Sequence, residues 1–140
     1  AKRLAQSNAV AAYYQRLKDE GQEFIVVLGD LNDTPDSEEL VPLSQTDLKD
    51  ASEHPSFTDF EFEVNNNHRG IGTYGLGNDT DKIDYLLLSP ALFERMENGG
   101  LFRKGAWPGV RPQRWEIYPQ LEKKVHAASD HHAIFADIDI

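Results

Sequence analysis

Apolar residues near the start of the chain recur at helical spacing. Steps of three, four or six residues, with alanines between them, separate Leu4, Val10, Tyr13, Tyr14 and Leu17. This pattern predicts an amphipathic helix that ends at Gly21. Residues 24–28 then form an uninterrupted run of apolar and β-branched side chains. Such a run predicts a strand buried on both faces.

Further along the chain, other segments carry the patterns of strands, turns and short helices. Residues 57–64 alternate apolar and polar side chains, as a half-exposed strand does, and residues 82–88 predict a second buried strand. The remaining predicted elements are a turn at 33–37 that leads into a short helix at 38–40, a short helix at 91–96, a long connection at 99–119 and a last strand at 133–140.

Composition limits the chemistry that the chain can carry. The 140 residues include no cysteine, which excludes a disulfide, a thiolate zinc site and a cysteine nucleophile. Any metal must therefore bind to oxygen or imidazole ligands. The apolar runs are too short to span a membrane. The formal net charge of −10 argues against non-specific affinity for nucleic acid, because such binding relies on Lys and Arg displacing counterions.

Three short polar motifs lie at the ends of strand candidates: Gly-Asp-Leu-Asn at 29–32, Lys-Ile-Asp-Tyr at 82–85 and Ser-Asp-His at 129–131. Because strands fix the backbone while the emerging loops aim side chains, groups from distant positions can converge there. The set suits phosphoester hydrolysis. A hard divalent cation prefers carboxylate oxygens, the attacking water needs an acceptor, and charge developing on the phosphoryl group needs donors.

The Gly-Asp-x-Asn, Ile-Asp-Tyr and Ser-Asp-His elements, in this order, resemble those of the endonuclease/exonuclease/phosphatase (DNase I-like) superfamily. The resemblance runs from about residue 3 to residue 140 and includes the Thr73-Tyr74 pair before the second motif. It implies an α/β (α+β) fold class with two β-sheets packed face to face and helices outside. Residues 1–140 would then form the C-terminal part of such a domain, without its N-terminal half.

The resemblance also implies a role for each motif residue. Asp30 would orient or deprotonate the attacking water, and Asn32 would hydrogen-bond the phosphoryl group. His131 would donate to a phosphoryl oxygen, while Asp84 would hold the His131 imidazole and favour its protonated form. Asp130 would be a ligand of the metal cofactor, Mg²⁺ or Mn²⁺.

Two other regions are candidates for substrate contact. Arg69 and Tyr74 lie at the glycine-rich loop before the second motif and are weak candidates. The segment 103–124 holds six basic residues against two acids, together with Trp107, Trp115 and Tyr118. It could present cations and aromatic faces to a phosphate-bearing ligand. A solvated loop with aromatic side chains packed beneath it is the alternative interpretation.

The chain lacks residues that complete members of the superfamily use to bind magnesium, and this limits the activity that we expect from it. Complete members of the superfamily carry, in their N-terminal half, an asparagine and a glutamate that is the principal magnesium ligand. We therefore expect a metal-dependent phosphoesterase whose 140 residues alone are weakly active or inactive. Expected partners are a phosphodiester or phosphomonoester substrate, with nucleic acid among the candidates, and either the N-terminal half or a second copy to cover an open sheet. The alternative is a catalytically inactive scaffold or interaction domain.

Simpler interpretations exist for some of these residues. Asp30 and Asn32 could cap the turn after a strand, because both residue types bond readily to nearby backbone. An unpaired carboxylate at Asp84 inside a buried strand would cost several kcal/mol, so Asp84 needs a partner such as His131. His131 and His132 are adjacent and would point to opposite faces of a strand. Only one can join the site, and we predict His131.

Overall fold

The structure is a computed structural model that describes residues 1–58, 70–109 and 114–140. These residues form a mixed α+β arrangement of two small sheets and few helices. The α-helices are α1 (Lys2–Asp19), α2 (Val41–Ser44) and α3 (Pro90–Phe93), with 3-10 turns at Glu38–Leu40, Ala51–Glu53, Asp79–Asp81 and Lys124–His126. The strands are β1 (Val26–Asp30), β2 (Lys49–Asp50), β3 (Phe57–Thr58), β4 (Asp84–Leu88), β5 (Met96–Phe102) and β6 (Ala133–Ile138).

Strand pairing brings the polar ends of β1 and β4 together. The first sheet has the order β1-β4-β2, and β4 runs antiparallel to both neighbours. Its register places Val26 opposite Leu88 and Asp30 opposite Asp84. The second sheet has the order β3-β5-β6, with β3 parallel and β6 antiparallel to β5. The first two polar motifs therefore meet at one end of the first sheet.

Strand β4 lies between two hydrophobic clusters. Leu88 belongs to a cluster formed with residues of the second sheet, and partly buried Leu86 packs against the same cluster. Tyr85 and Leu87 point the other way and pack with Leu40 and the other apolar residues of the segment after β1. The sequence-based prediction of a strand buried on both faces is confirmed for β4, because its alternate side chains serve different clusters.

The same prediction is wrong for β1. Exposure alternates along the strand, with Val26 41% and Leu28 68% exposed, while half-buried Val27 packs against the second cluster. Within the described residues, β1 pairs only with β4 and is an edge strand. Its apolar run therefore has one covered face instead of two. The strand also begins two residues later than the run of apolar residues.

Helix α1 is confirmed, and Gly21 follows it with a φ of 90°, a conformation that favours glycine. Its apolar stripe is only partly covered. Tyr14 is 1% exposed and donates a hydrogen bond to Asp47 Oδ1 at 2.6 Å, whereas Val10 and Tyr13 remain exposed. In the described part of the chain, no helix combines the length and the apolar character needed to cross a bilayer.

The predicted long connection at 99–119 is wrong at its start, where the chain forms β5 instead. A Cβ at Gly99 would collide with the Met96 side chain and lie 3.1 Å from Phe57 Cδ2. The glycine pair that is typical of a loop in sequence thus allows close packing between β5 and its neighbours. The predicted helix at 91–96 is correspondingly shorter, because Met96 already belongs to β5.

The other predicted elements have mixed outcomes. The short helix at 38–40 is confirmed as a 3-10 turn, and the last strand is confirmed over Ala133–Ile138. The predicted strand at 57–64 is present at Phe57–Thr58, and the rest of it lies outside the described residues.

Candidate functional site

Asp30, Asp84 and His131 converge at the end of the first sheet. Asp30 and Asp84 are directly opposite in the antiparallel pair, which places their side chains on the same face. One potential ligand atom from each of the three residues lies within 4.8 Å of the others. We call these three residues the carboxylate–histidine cluster. Each of them comes from a different one of the three polar motifs.

The imidazole of His131 is held by the carboxylate of Asp84. His131 Nδ1 lies 2.9 Å from Asp84 Oδ2, and the two side chains are 34% and 19% exposed. The His131 backbone N–H donates to Ser129 Oγ at 3.0 Å, and an isolated bridge pairs His131 with Tyr74. A carboxylate only accepts, so Nδ1 carries the shared proton. Within the described residues, Nε2 makes no hydrogen bond and is available to a ligand.

Negative charge around His131 favours its protonated form. The hydrogen bond to Asp84 raises the pKa of His131 above its ordinary value, and this effect exceeds the opposing effect of burial. The carboxylates of Asp30 and Asp130 act in the same direction as Asp84. The imidazolium can donate from Nε2 to an anionic oxygen while Nδ1–H remains bound to Asp84.

Buried polar groups fix the backbone that carries Asp84. Thr73 is fully buried, and its Oγ1 accepts hydrogen bonds from the backbone N–H groups of Ile83 at 3.1 Å and Asp84 at 2.9 Å. Lys82 is 1% exposed, pairs with Asp50 Oδ2 at 3.3 Å and donates to the Asp84 carbonyl at 3.3 Å. The sequence interpretation gave Lys82 no role of its own. The pattern that could have indicated its buried position is a lysine directly before a buried apolar strand.

The first motif combines a turn cap with membership of the cluster. Asn32 has a φ of 54°, and its backbone N–H donates to Asp30 Oδ1 at 2.9 Å. Helix α1 secures this turn, because Arg3 donates to the Asn32 carbonyl at 2.5 Å and pairs with Asp33 at 2.8 Å. The turn-capping interpretation is therefore confirmed for Asp30, which also belongs to the carboxylate–histidine cluster. The exposed carboxamide of Asn32 lies just beyond the same sheet end.

Of the remaining predicted site residues, two lie next to the cluster. Asp130 is exposed, and its backbone carbonyl accepts from Gly75 N–H at 3.1 Å. Within the described residues, its carboxylate is not part of the 4.8 Å grouping. The Tyr74 ring contacts the His131 ring edge-on at a centroid distance of 5.4 Å. Arg69 lies outside the described residues.

His132 points away from the cluster into the protein. It is 3% exposed, its Nδ1 accepts from Arg103, and its Nε2 donates to the Gly75 carbonyl at 3.0 Å. Since arginine only donates and a carbonyl only accepts, these contacts define a neutral ring. Burial, followed by the positive charge of Arg103, lowers the pKa of His132 to about 4. The structure thus places the two adjacent rings on opposite sides of the segment.

The structure separates the two interpretations of the basic segment. Arg103 is 1% exposed and donates to the carbonyls of Gly70 at 2.6 Å and Gly72 at 2.9 Å. Trp115 is 3% exposed and donates to the Ala106 carbonyl at 3.0 Å. For these two residues, packing beneath the loop is correct, and neither presents its side chain to a ligand.

A groove of about 410 Å³ passes the cluster and is lined by residues that include Leu28, Asp84, His131 and Ile134. This groove gives a ligand access to the outward face of the His131 ring. Comparisons with family models, curated proteins and solved structures give no match to this chain. The superfamily resemblance therefore depends on the three motifs themselves.

Proposed function

We propose that this chain carries active-site residues of a divalent-metal-dependent phosphoesterase, as part of a DNase I-like domain. The main supporting observation is the convergence of Asp30, Asp84 and His131, drawn from three separate motifs, within 4.8 Å. Clustered carboxylates around an oriented histidine suit the acid–base and charge-stabilising needs of P–O bond cleavage.

His131 is proposed to donate from Nε2 to a phosphoryl oxygen. The 2.9 Å contact with Asp84 orients the ring and favours the imidazolium, which can neutralise charge that develops as water attacks phosphorus. Asp84 is half-buried and supported by Thr73 and Lys82, so the pair is held by the sheet and not by a loop alone.

Asp30 is proposed to orient the attacking water and accept its proton. The water oxygen forms a new bond to phosphorus in line with the leaving oxygen, whose P–O bond breaks, and the alkoxide or phenolate that leaves takes up a proton from solvent. This direct displacement requires no covalent intermediate on the protein. Asn32, in the turn that Asp30 caps, would donate from its carboxamide to the phosphoryl group.

The donors at the site fit a hard divalent cation, because such ions prefer carboxylate oxygens. Asp130 is proposed as a ligand, and the carboxylates of Asp30 and Asp84 in the neighbouring cluster add negative charge that favours a cation there. When bound, Mg²⁺ or Mn²⁺ would polarise a phosphoryl oxygen and offset its charge. Calorimetric titration with Mn²⁺ tests this assignment. Weaker binding by Asp30→Asn, Asp84→Asn and Asp130→Asn is expected, and unchanged binding by Asp139→Asn serves as the exposed control.

Hydrolysis of bis-p-nitrophenyl phosphate with Mg²⁺ or Mn²⁺ tests the function directly. We expect His131→Ala to lower the rate by about 10²–10³, the usual loss when one donor to the developing charge is removed. His126→Ala is the matched control, because His126 is exposed in a 3-10 turn outside the carboxylate–histidine cluster. Equal activity in the wild type and His131→Ala contradicts the proposed role of His131.

The exposed face of β1 favours a second candidate, an interaction scaffold without catalysis. Leu28 is 68% exposed on an edge strand, and an apolar strand edge can pair with another chain. A scaffold would neither bind Mn²⁺ through the cluster nor hydrolyse the phosphodiester. Because the 140 residues alone are expected to be weakly active or inactive, a lack of hydrolysis by the folded chain does not exclude the enzyme. The scaffold candidate replaces the enzyme if a chain extended at its N-terminus neither binds Mn²⁺ through the cluster nor hydrolyses the phosphodiester.

A further inference from the structure

A second cleft lies beside Tyr74, whose ring contacts His131 of the carboxylate–histidine cluster. Its volume is about 280 Å³, and residues that line it include Tyr74, Gly75, Trp107, Lys124, Ser129 and Asp130. Tyr74 is 42% exposed, and its ring lies 5.4 Å from the His131 ring. The Tyr74 ring therefore borders both the cleft and the proposed catalytic histidine, so that one ligand can extend from the cleft to His131.

The cleft is held in a fixed position relative to His131. The backbone bridge between Tyr74 and His131 and the 3.1 Å hydrogen bond from Gly75 N–H to the Asp130 carbonyl join its two walls. The buried His132 ring donates to the Gly75 carbonyl from beneath. Backbone pairing therefore fixes the main chain of Tyr74 beside that of His131.

Trp107 gives the cleft a second aromatic side chain. The sequence has two tryptophans, and Trp115 is buried with its Nε1 bonded to the Ala106 carbonyl. Trp107, in contrast, is half-buried and lines the cleft. Aromatic side chains at the edge of a groove bind flat rings by stacking, with little dependence on the identity of the ring.

Charge places the ring and the phosphate of a ligand in different parts of the site. Asp130 joins the cleft to the carboxylate–histidine cluster, where the ionisable groups of Asp30, Asp84 and His131 lie, whereas Tyr74 and Trp107 line the cleft with uncharged rings. Lys124, an exposed cation on the same cleft, can attract a phosphate-bearing ligand to its opening. This arrangement suits a ligand whose uncharged ring lies in the cleft and whose phosphoryl group lies at His131.

We propose that Trp107 and Tyr74 are specificity-determining residues that bind a flat, uncharged ring attached to the phosphoester whose phosphorus lies at His131. This inference depends on the proposed function for the position of the phosphoryl group. It predicts a preference for ring-bearing phosphoesters over those with purely aliphatic or sugar groups. For Trp107, the inference agrees with the sequence-based interpretation that this segment presents aromatic faces to a phosphate-bearing ligand.

Calorimetry with two matched ligands, uridine 5′-monophosphate and ribose 5-phosphate, tests the subsite in the presence of Mg²⁺. The ligands share the phosphorylated sugar and differ in the flat ring. We expect the nucleotide to bind at least about tenfold more tightly, in line with stacking on an aromatic side chain. Trp107→Ala and Tyr74→Ala should remove most of this difference, and Trp107→Phe should retain part of it. Tyr13→Ala, at an exposed aromatic residue of α1 outside the cleft lining, should leave it unchanged.

Equal affinity for the two ligands, or an unchanged preference in folded Trp107→Ala, overturns the subsite. Hydrolysis separates this result from failure of the proposed function. A chain that cleaves bis-p-nitrophenyl phosphate through His131 but shows no ring preference has the activity without the subsite. A chain that binds the nucleotide through Trp107 but cleaves nothing has the subsite without the activity. Circular dichroism of each variant establishes that it is folded.

Discussion

His131 and His132 are neighbours in the chain, yet their side chains differ in solvent exposure and in the charges that surround them. On the outward side, His131 is 34% exposed and faces the carboxylates of Asp84 and Asp30. On the inward side, His132 is 3% exposed and accepts a hydrogen bond from Arg103. The pKa of His131 is raised, and that of His132 is lowered to about 4.

This difference shows how one segment can serve both a site and a core. Extended backbone directs successive side chains to opposite faces, so one residue type meets two environments within a single step. Carboxylates favour the protonated, anion-binding form of the outward ring, while burial beside a guanidinium favours the neutral form of the inward ring. The inward side should thus control folding, and the outward side should control chemistry.

The largest expected effect comes from breaking the inward side. Arg103→Met leaves the acceptors at His132 and at the Gly70 and Gly72 carbonyls without their donor in a buried place. Removing one partner of such a buried charged network costs about 3–5 kcal/mol of unfolding free energy. Urea unfolding measures this loss. Lys104→Met, at a residue with a solvent-exposed ion pair, should change the free energy by less than about 1 kcal/mol.

The next largest expected effect is a loss of folding stability in acid, through protonation of His132. Above its ordinary pKa of 6.5, His132 is neutral in both states and costs nothing. As the pH falls below 6.5, the unfolded chain gains a proton that the folded chain resists until about pH 4. Stability should fall by about 1.4 kcal/mol per pH unit, or about 3 kcal/mol in total. Burial is the largest cause of this lowered pKa, the charges of Arg103 and His131 add to it, and the Gly75 carbonyl and Asp84 oppose it.

Unfolding by urea at several pH values, compared between the wild type and His132→Asn, isolates this contribution. The variant should lose part of the pH slope between 6.5 and 4. His131 has the opposite sign. Its raised pKa stabilises the fold below pH 6.5, and that stabilisation is lost as the pH rises through the folded value. An unchanged slope in folded His132→Asn would assign the acid sensitivity to other groups.

Breaking the outward side should affect chemistry and leave folding nearly intact. Asp84→Asn removes the carboxylate that holds His131 Nδ1 but preserves the size of the side chain. We expect about a 100-fold lower rate of phosphodiester hydrolysis. The pKa of His131, followed by NMR titration, should fall towards its ordinary value, and this readout requires no activity. A variant with an unchanged His131 pKa would contradict the pairing.

The sequence was most informative where local pattern and packing agree. Residues 85–88 are all apolar and form a strand between two clusters, and the polar motifs lie at strand ends as expected. The convergence of Asp30 with Asp84 required the antiparallel register, which the sequence alone does not specify. The three motifs gave the candidates, and the strand pairing supplied their distances.

Long-range packing explains what the sequence could not predict. The 24–28 run is as apolar as a central strand, but β1 has one described neighbour and Leu28 stays exposed. Arg103 counts as a solvated base by composition, yet its guanidinium lies among backbone carbonyls that only the folded chain brings together. Gly99 is typical of a loop until the side chains of its strand neighbours are known.

The smallest expected effect distinguishes backbone support from side-chain chemistry on the outward side. Ser129 Oγ accepts the His131 backbone N–H at 3.0 Å in an exposed position. Ser129→Ala should therefore cost no more than about 1 kcal/mol of unfolding free energy. Hydrolysis should fall only a few-fold, because Asp84 still holds the ring. Ser44→Ala, which removes another exposed serine bond to the backbone, should match the stability loss without affecting hydrolysis. If Ser129→Ala lowers the rate as much as Asp84→Asn, then backbone placement, and not the carboxylate, controls His131.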